Sequence, residues 1–304
     1  GALGGGTPLT GLTFNGSSAM TLSNNLTIAG AFEINAPVTL GDNITINTSS
    51  GNGNVTFGST VDGNNNLTIS SGSGAVAIQG KLGATNGLAN IDINKTSGSG
   101  SIEIFDIGDD SIGVSGATAI GNTNTTTLTL DGTVYKTTGA QVYTAKAGDN
   151  IDITNTSNAA FTTTNTAITF ATANIELADG VDLTVDSGAA AGNITIVSID
   201  GDSSEAVTID AGTGTTSVGA IGAGTEIGAV TIGSSDNGGI TLNGAITTTG
   251  AVSLDGPVTL ATGAITVDSS AGNGAISFLH TIDGAQNLTL SSGSGAVDVN
   301  GIIG

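Results

Sequence analysis

The stretch ITINTSSGNGNVTFGSTVDGNNNLTISSGSGAVAIQGKLG at residues 44–83 returns as ITVDSSAGNGAISFLHTIDGAQNLTLSSGSGAVDVNGIIG at residues 265–304. A chain that repeats itself at this length must fold so that the copies take equivalent places, and that confines it to arrays and solenoids. The repeat extends further. GALGGGTPLTGLTF at 1–14 aligns without a gap on GAIGAGTEIGAVTI at 219–232, and NAPVTL at 35–40 answers DGPVTL at 255–260. A partial copy, LTVDSGAAAGNITIVSIDGDSSEAVTIDAGTGTTSVGAIG, occupies 183–222. The chain therefore divides into a repeat block at 1–83, a variant block at 84–218 with its partial copy from about 183, and a repeat block at 219–304.

Inside each block the unit is smaller. Triplets such as LTF at 12–14, VTL at 38–40, VTF at 55–57, LTL at 128–130 and VTL at 258–260 place apolar residues two apart around a polar one. That period sends Val, Ile and Leu to one buried face and Thr, Ser or Asp to the other. Gly, Asn, Asp and Ser separate the triplets and suit tight corners. Strands this short are stable only when both sides are paired, so coils stacked in register are the expected solution. The expected fold is all-β, a parallel β-helix or β-solenoid built from repeated blocks, with coils of roughly 20 to 30 residues rising about 4.8 Å each. The variant region 84–180 is expected to continue the solenoid with altered corners.

Composition excludes several functions. The chain has 304 residues with net charge −21, and its only basic residues besides one histidine are Lys81, Lys95, Lys136 and Lys146. Binding to nucleic acid or to anionic lipid needs clustered cations, and these are scattered. No apolar run is long enough to insert directly in a membrane. With no cysteine, thiolate catalysis and cysteine-held zinc are excluded. His280 is the sole histidine, its counterpart in the first block is Ser59, and Trp and Arg are absent, so the sequence reads as a non-enzyme.

Acidic corners are the remaining candidates for chemistry. Asp109 and Asp110 in IGDDS, and Asp200 and Asp202 in IDGDSSE beside Ser204 and Glu205, are candidate Ca²⁺ ligands, because calcium takes hard oxygen donors from closely spaced carboxylates. Neither segment has the twelve-residue loop closed by a final Glu, so solvated acidic corners are the competing expectation. Asp62 and Asp283, which recur in the V/I-D-G corner with Asp200, are expected to cap turns. Asn52 and Asn273 in the G-N-G corners are expected to bond to their own turn or to stack on the neighbouring coils.

The units VDGNNNLTISSGSGAV at 61–76 and IDGAQNLTLSSGSGAV at 282–297, with GALGGGTPL at 1–9 and TTGAQVYTA at 137–145, resemble the repeats of giant filamentous-haemagglutinin-like bacterial surface adhesins. The resemblance implies a right-handed parallel β-helix and a secreted or cell-surface fibre used in adhesion, aggregation or an extracellular sheath. The expected function is a structural segment that joins copies of itself head to tail, as one part of an array continuing at both ends. The alternative is an adhesin that recognises a cell-surface glycan through the irregular segment 84–180.

Overall fold

The computed structural model describes residues 6–109, 111, 113–202, 204–234 and 238–304. The described secondary structure is entirely strand, with parallel sheets stacked as a β-solenoid of about 12 turns. The chain forms two compact units, Gly1–Asp152 and Ile153–Gly304.

In the first unit the strands stack in three columns. One runs through Leu12–Phe14, Phe32–Ile34, Val55–Phe57, Val76–Ile78, Ile102–Ile104 and Leu128–Leu130. A second runs through Leu26–Thr27, Ile44–Asn47, Leu67–Ser70, Ile91–Ile93, Thr118–Ile120 and Gln141–Thr144. The third begins with Met20–Leu22, Val38–Leu40 and Val61–Asp62 and continues as single bridges through Leu82, Ile107 and Tyr135. The registers Leu12↔Phe32, Phe32↔Val55 and Val76↔Ile102 give coils of 20 to 26 residues, so the coil length follows the corners while the strand register stays fixed.

The second unit repeats this plan. Its columns are Ala159–Thr162 through Val297–Val299, Ile168–Ala171 through Ile282–Asp283, and Asn174–Leu177 through Leu288–Ser291. The long strands Ile194–Asp200 and Thr215–Ile221 turn a corner, and each serves two columns.

The period-2 pattern does the sorting that it predicts. In Val38–Leu40, Val55–Phe57, Leu128–Leu130 and Val258–Leu260 both apolar residues are buried and the central Thr is half-buried or exposed. Each interior is thin and aliphatic. Larger rings occur as edge-on pairs, Phe32 with Phe57 at 5.6 Å and Phe161 with Phe170 at 5.0 Å between centroids. Block boundaries are not breaks in the ladder. Leu82 bridges Val61 and Ile107, and Ile221 pairs with Ile199 and Ile246.

One feature of the second unit is invisible in the alignment of the blocks. Ile221 and Ile303 hold the same block position, yet Ile221 stacks in the column of Ile199 and Ile246, and Ile303 stacks over Ile282 in the column of Val258. The block between them therefore advances the pattern by one face.

Candidate functional site: the corners and one recess

The corner side chains carry most of the polar chemistry, and they spend it between coils. At many corners a side-chain oxygen in one coil accepts a backbone N–H from the next coil along the chain, whereas Asn94 accepts from Ser71 of the coil before it. Asn25 accepts from Thr45 at 2.7 Å, Asn43 from Asn66 at 3.0 Å, Asn90 from Ala117 at 2.8 Å and Asn193 from Thr215 at 3.0 Å. Asp62 accepts from Thr85 and Asn86 at 2.8 and 3.1 Å, Asp182 from Ala206 at 2.7 Å and Asp200 from Gly224 at 2.7 Å. Corner backbones cannot pair in a regular ladder, so an Asx oxygen takes donors that would otherwise turn to water.

Asn52 and Asn273, at φ of 56° and 57°, occupy the left-handed region and accept from Ser73 and Ser294 of the following coil at 2.9 and 2.8 Å. Of the two roles open to these residues, the contact to the neighbouring coil is the one made. Asn tolerates this backbone better than most side chains.

The four candidate Ca²⁺ ligands have the following places. Asp109 accepts an ion-paired hydrogen bond from Lys81 Nζ at 2.9 Å, and Lys81 also lies 3.7 Å from Asp106. The hydrogen bond to Asp109 leads the causes that raise the Lys81 pKa, against a desolvation cost of the charge. Asp110 lies outside the described residues. Asp200 caps the next coil as described above, and Asp202 donates its backbone N–H to Glu205 Oε2 at 2.7 Å. Among the described residues no three His, Asp or Glu side chains converge as a metal cluster. His280 Nε2 lies 3.0 Å from Asp255 Oδ1 at the surface.

Two arrangements have no clear signal in the sequence. Glu205 is fully buried, and its carboxylate accepts N–H groups from Gly180 at 3.1 Å, Asp202 at 2.7 Å and Ser204 at 3.2 Å, with the Ser204 hydroxyl at 3.0 Å. Burial opposes its charge, but the hydrogen bonds outweigh that and hold the carboxyl below its ordinary pKa. The insertion in IDGDSSEAVTI relative to VDGNNNLTI lengthens this corner, and Glu205 folds inward to close it. Near it in kind is a buried cluster in the first unit. Gln141 donates to the Tyr135 carbonyl at 2.8 Å and accepts from the Tyr143 hydroxyl at 3.0 Å, and the Tyr135 hydroxyl accepts from the Gly132 N–H at 2.8 Å. Burial pushes both tyrosines well above the ordinary phenol pKa.

The first unit holds a recess of about 340 Å³, lined by Lys95, Ala117, Ala119, Asn122, Ala140 and Val142 among others. It forms where a polar row gives out. Asn43, Asn66 and Asn90 are linked coil to coil, and Ala117 and Ala140 follow them. The corner at 121–127 rises beside this patch, held by Asn122, whose amide donates to the Asn94 and Gly98 carbonyls.

Compared against protein families, curated proteins and solved structures, the chain finds no match in any of the three.

Proposed function

We propose that this chain is a structural segment of a secreted or cell-surface fibre, resembling the filamentous-haemagglutinin-like adhesins, and that its work is axial continuity. The observation that carries this reading is the use of the corner side chains. Asp and Asn residues that would serve as ligands or catalysts on another scaffold are spent on tying each coil to the next. Such ties resist axial separation, and the repeated block adds length without new design. The test is to image surface or shed material of the producing cell with antibody against this chain. Label along continuous filaments supports the reading, and label on dispersed particles of the size of one chain removes it.

A second reading has its own observation. The recess at Lys95, Ala119 and Val142 lies inside the irregular segment 84–180, where a glycan-recognising surface is expected. Its apolar floor and amide and hydroxyl rim suit a sugar ring. Glycan-array binding that is lost in Ala119→Arg, with the thermal unfolding curve retained, supports this reading. Binding unchanged by that substitution removes the recess from consideration.

A further inference from the structure

Two lysines of the first unit are neutralised by their neighbours. Lys81 is ion-paired with Asp109 at 2.9 Å and Lys146 with Asp149 at 3.5 Å. Lys95 is exposed, and among the described residues no ion pair or hydrogen bond reaches its ammonium. Its backbone is held by its own turn, with the Lys95 N–H donating to Asp92 Oδ1 at 3.3 Å. In a chain with 4 Lys and Arg against 25 Asp and Glu, an uncompensated cation is the rarer charge, and its place decides what it can take.

Lys95 stands where two recesses meet. The recess of about 340 Å³ and a second of about 260 Å³ have Lys95, Ala117 and Ala119 in common. The second recess is lined on its other side by Asn66, Thr68, Asn90 and Asp92. Thr68, Asp92, Ala119 and Val142, the residues that stand at the middle of their strands or next to it, lie in register in four successive coils. The two recesses therefore follow the stack of coils for about 14 Å at the usual strand spacing.

The chemistry changes along that line. At Val142, Ala119 and Ala117 the lining is apolar, and Val142 is 36% exposed. At Lys95 it is cationic. Beyond Lys95 it is acidic and amide, and Asp92, with Oδ1 bonded to the Lys95 N–H, has Oδ2 left to accept a hydroxyl. An apolar floor suits the C–H face of a sugar ring, an ammonium a carboxylate, and a carboxylate the ring hydroxyls.

We propose that this trough binds an acidic glycan of the uronic-acid type, with one carboxylate per pair of sugars, and that the carboxylate rests on Lys95 Nζ. The acidic ring covers Ala119 and Val142, and the hydroxyls of the next ring meet Asp92. This rests on the glycan reading of the recess and adds the charge that selects the sugar. Sparse charge is part of the match. One ammonium offsets one carboxylate, whereas a densely sulfated chain is repelled by a molecule of net charge −21.

The experiment is calorimetric titration of the 304-residue chain with a tetrasaccharide of alternating glucuronate and N-acetylglucosamine, and with the same tetrasaccharide after its carboxyls are reduced to alcohols. The parent chain is expected to bind the acidic form at least about 10-fold more tightly than the reduced form, the worth of one charge-assisted contact. Lys95→Ala is expected to erase that preference by weakening the acidic form alone, and Lys95→Arg to keep it. Lys95 is exposed, so the Ala variant is expected to keep the parent's thermal unfolding curve. Lys136→Ala removes the same charge from a residue that does not line the trough and is expected to leave the preference intact. Equal binding of the two forms by the parent chain, or a preference that survives Lys95→Ala, would overturn the proposal. So would tighter binding of a densely sulfated tetrasaccharide, or no binding of either form. Equal binding that is lost in Ala119→Arg would leave the glycan reading standing without its acidic selection, so the two fail separately.

Discussion

Glu205 shows how a single side chain in this fold is judged by what it completes. Its carboxylate closes a lengthened corner by accepting three backbone N–H groups, one of them from Gly180 in the preceding coil. Glu205→Gln keeps the shape but loses the charge and an acceptor, and is expected to cost about 2 kcal/mol near neutral pH, within the range for hydrogen bonds to charged groups. The sign of the pH dependence follows from the lowered pKa. The stabilisation is present above the unfolded carboxyl value of about 4.3 and is lost as pH falls through the lower folded value. Denaturant melts of parent and variant across pH 7 to 3 should therefore converge in acid, and a gap that widens in acid would contradict the assignment. Asp200→Ala leaves the exposed Gly224 N–H to water and is expected to cost about 1 kcal/mol or less by the same measurement.

At the scale of the element, the stacked coil tolerates little volume at its corners and little loss in its interior. A Cβ at Gly53 would stand 1.9 Å from the Gly30 carbonyl oxygen of the coil before it, and at the equivalent Gly274 it would stand 2.0 Å from that of Gly250. Gly53→Val is expected to unravel the adjacent corners, read as new protease cleavage within about 20 residues of the site, a distance set by one coil. Phe57→Ala empties a fully buried ring site against Phe32 and is expected to cost about 3 to 5 kcal/mol in a denaturant melt. Much of this was legible in the sequence, because a strand of three residues with Val, Ile or Leu at both ends has one way to bury them. The parallel columns and the contacts of Asn52 and Asn273 follow from turn chemistry repeated at block spacing, whereas Asp62 and Asp200, expected to cap their own turns, bond to N–H groups of the next coil. The Glu205 closure and the recess at Ala117 and Ala119 were not legible, since both depend on which corner sits above which. Coil lengths that vary from 18 residues (Met20 to Val38) to 28 (Ile107 to Tyr135) hide that pairing from any fixed period. The advance by one face between Ile221 and Ile303 is hidden for the same reason.

For the molecule as a whole, charge and repetition decide the behaviour. On the proposed fibre reading, net charge −21 would keep fibres apart laterally and leave divalent cations to bridge them. Light scattering of assembled material is accordingly expected to rise with millimolar Ca²⁺ and to fall on chelation, and indifference to both would separate lateral association from the acidic corners. The central claim is axial stacking of coils into a fibre, and a diffraction or power-spectrum measurement on oriented native filaments tests it most directly. Strands that lie across the axis predict a strong reflection near about 4.8 Å along the filament. The same spacing found perpendicular to the filament, or filaments with no such reflection, would contradict it.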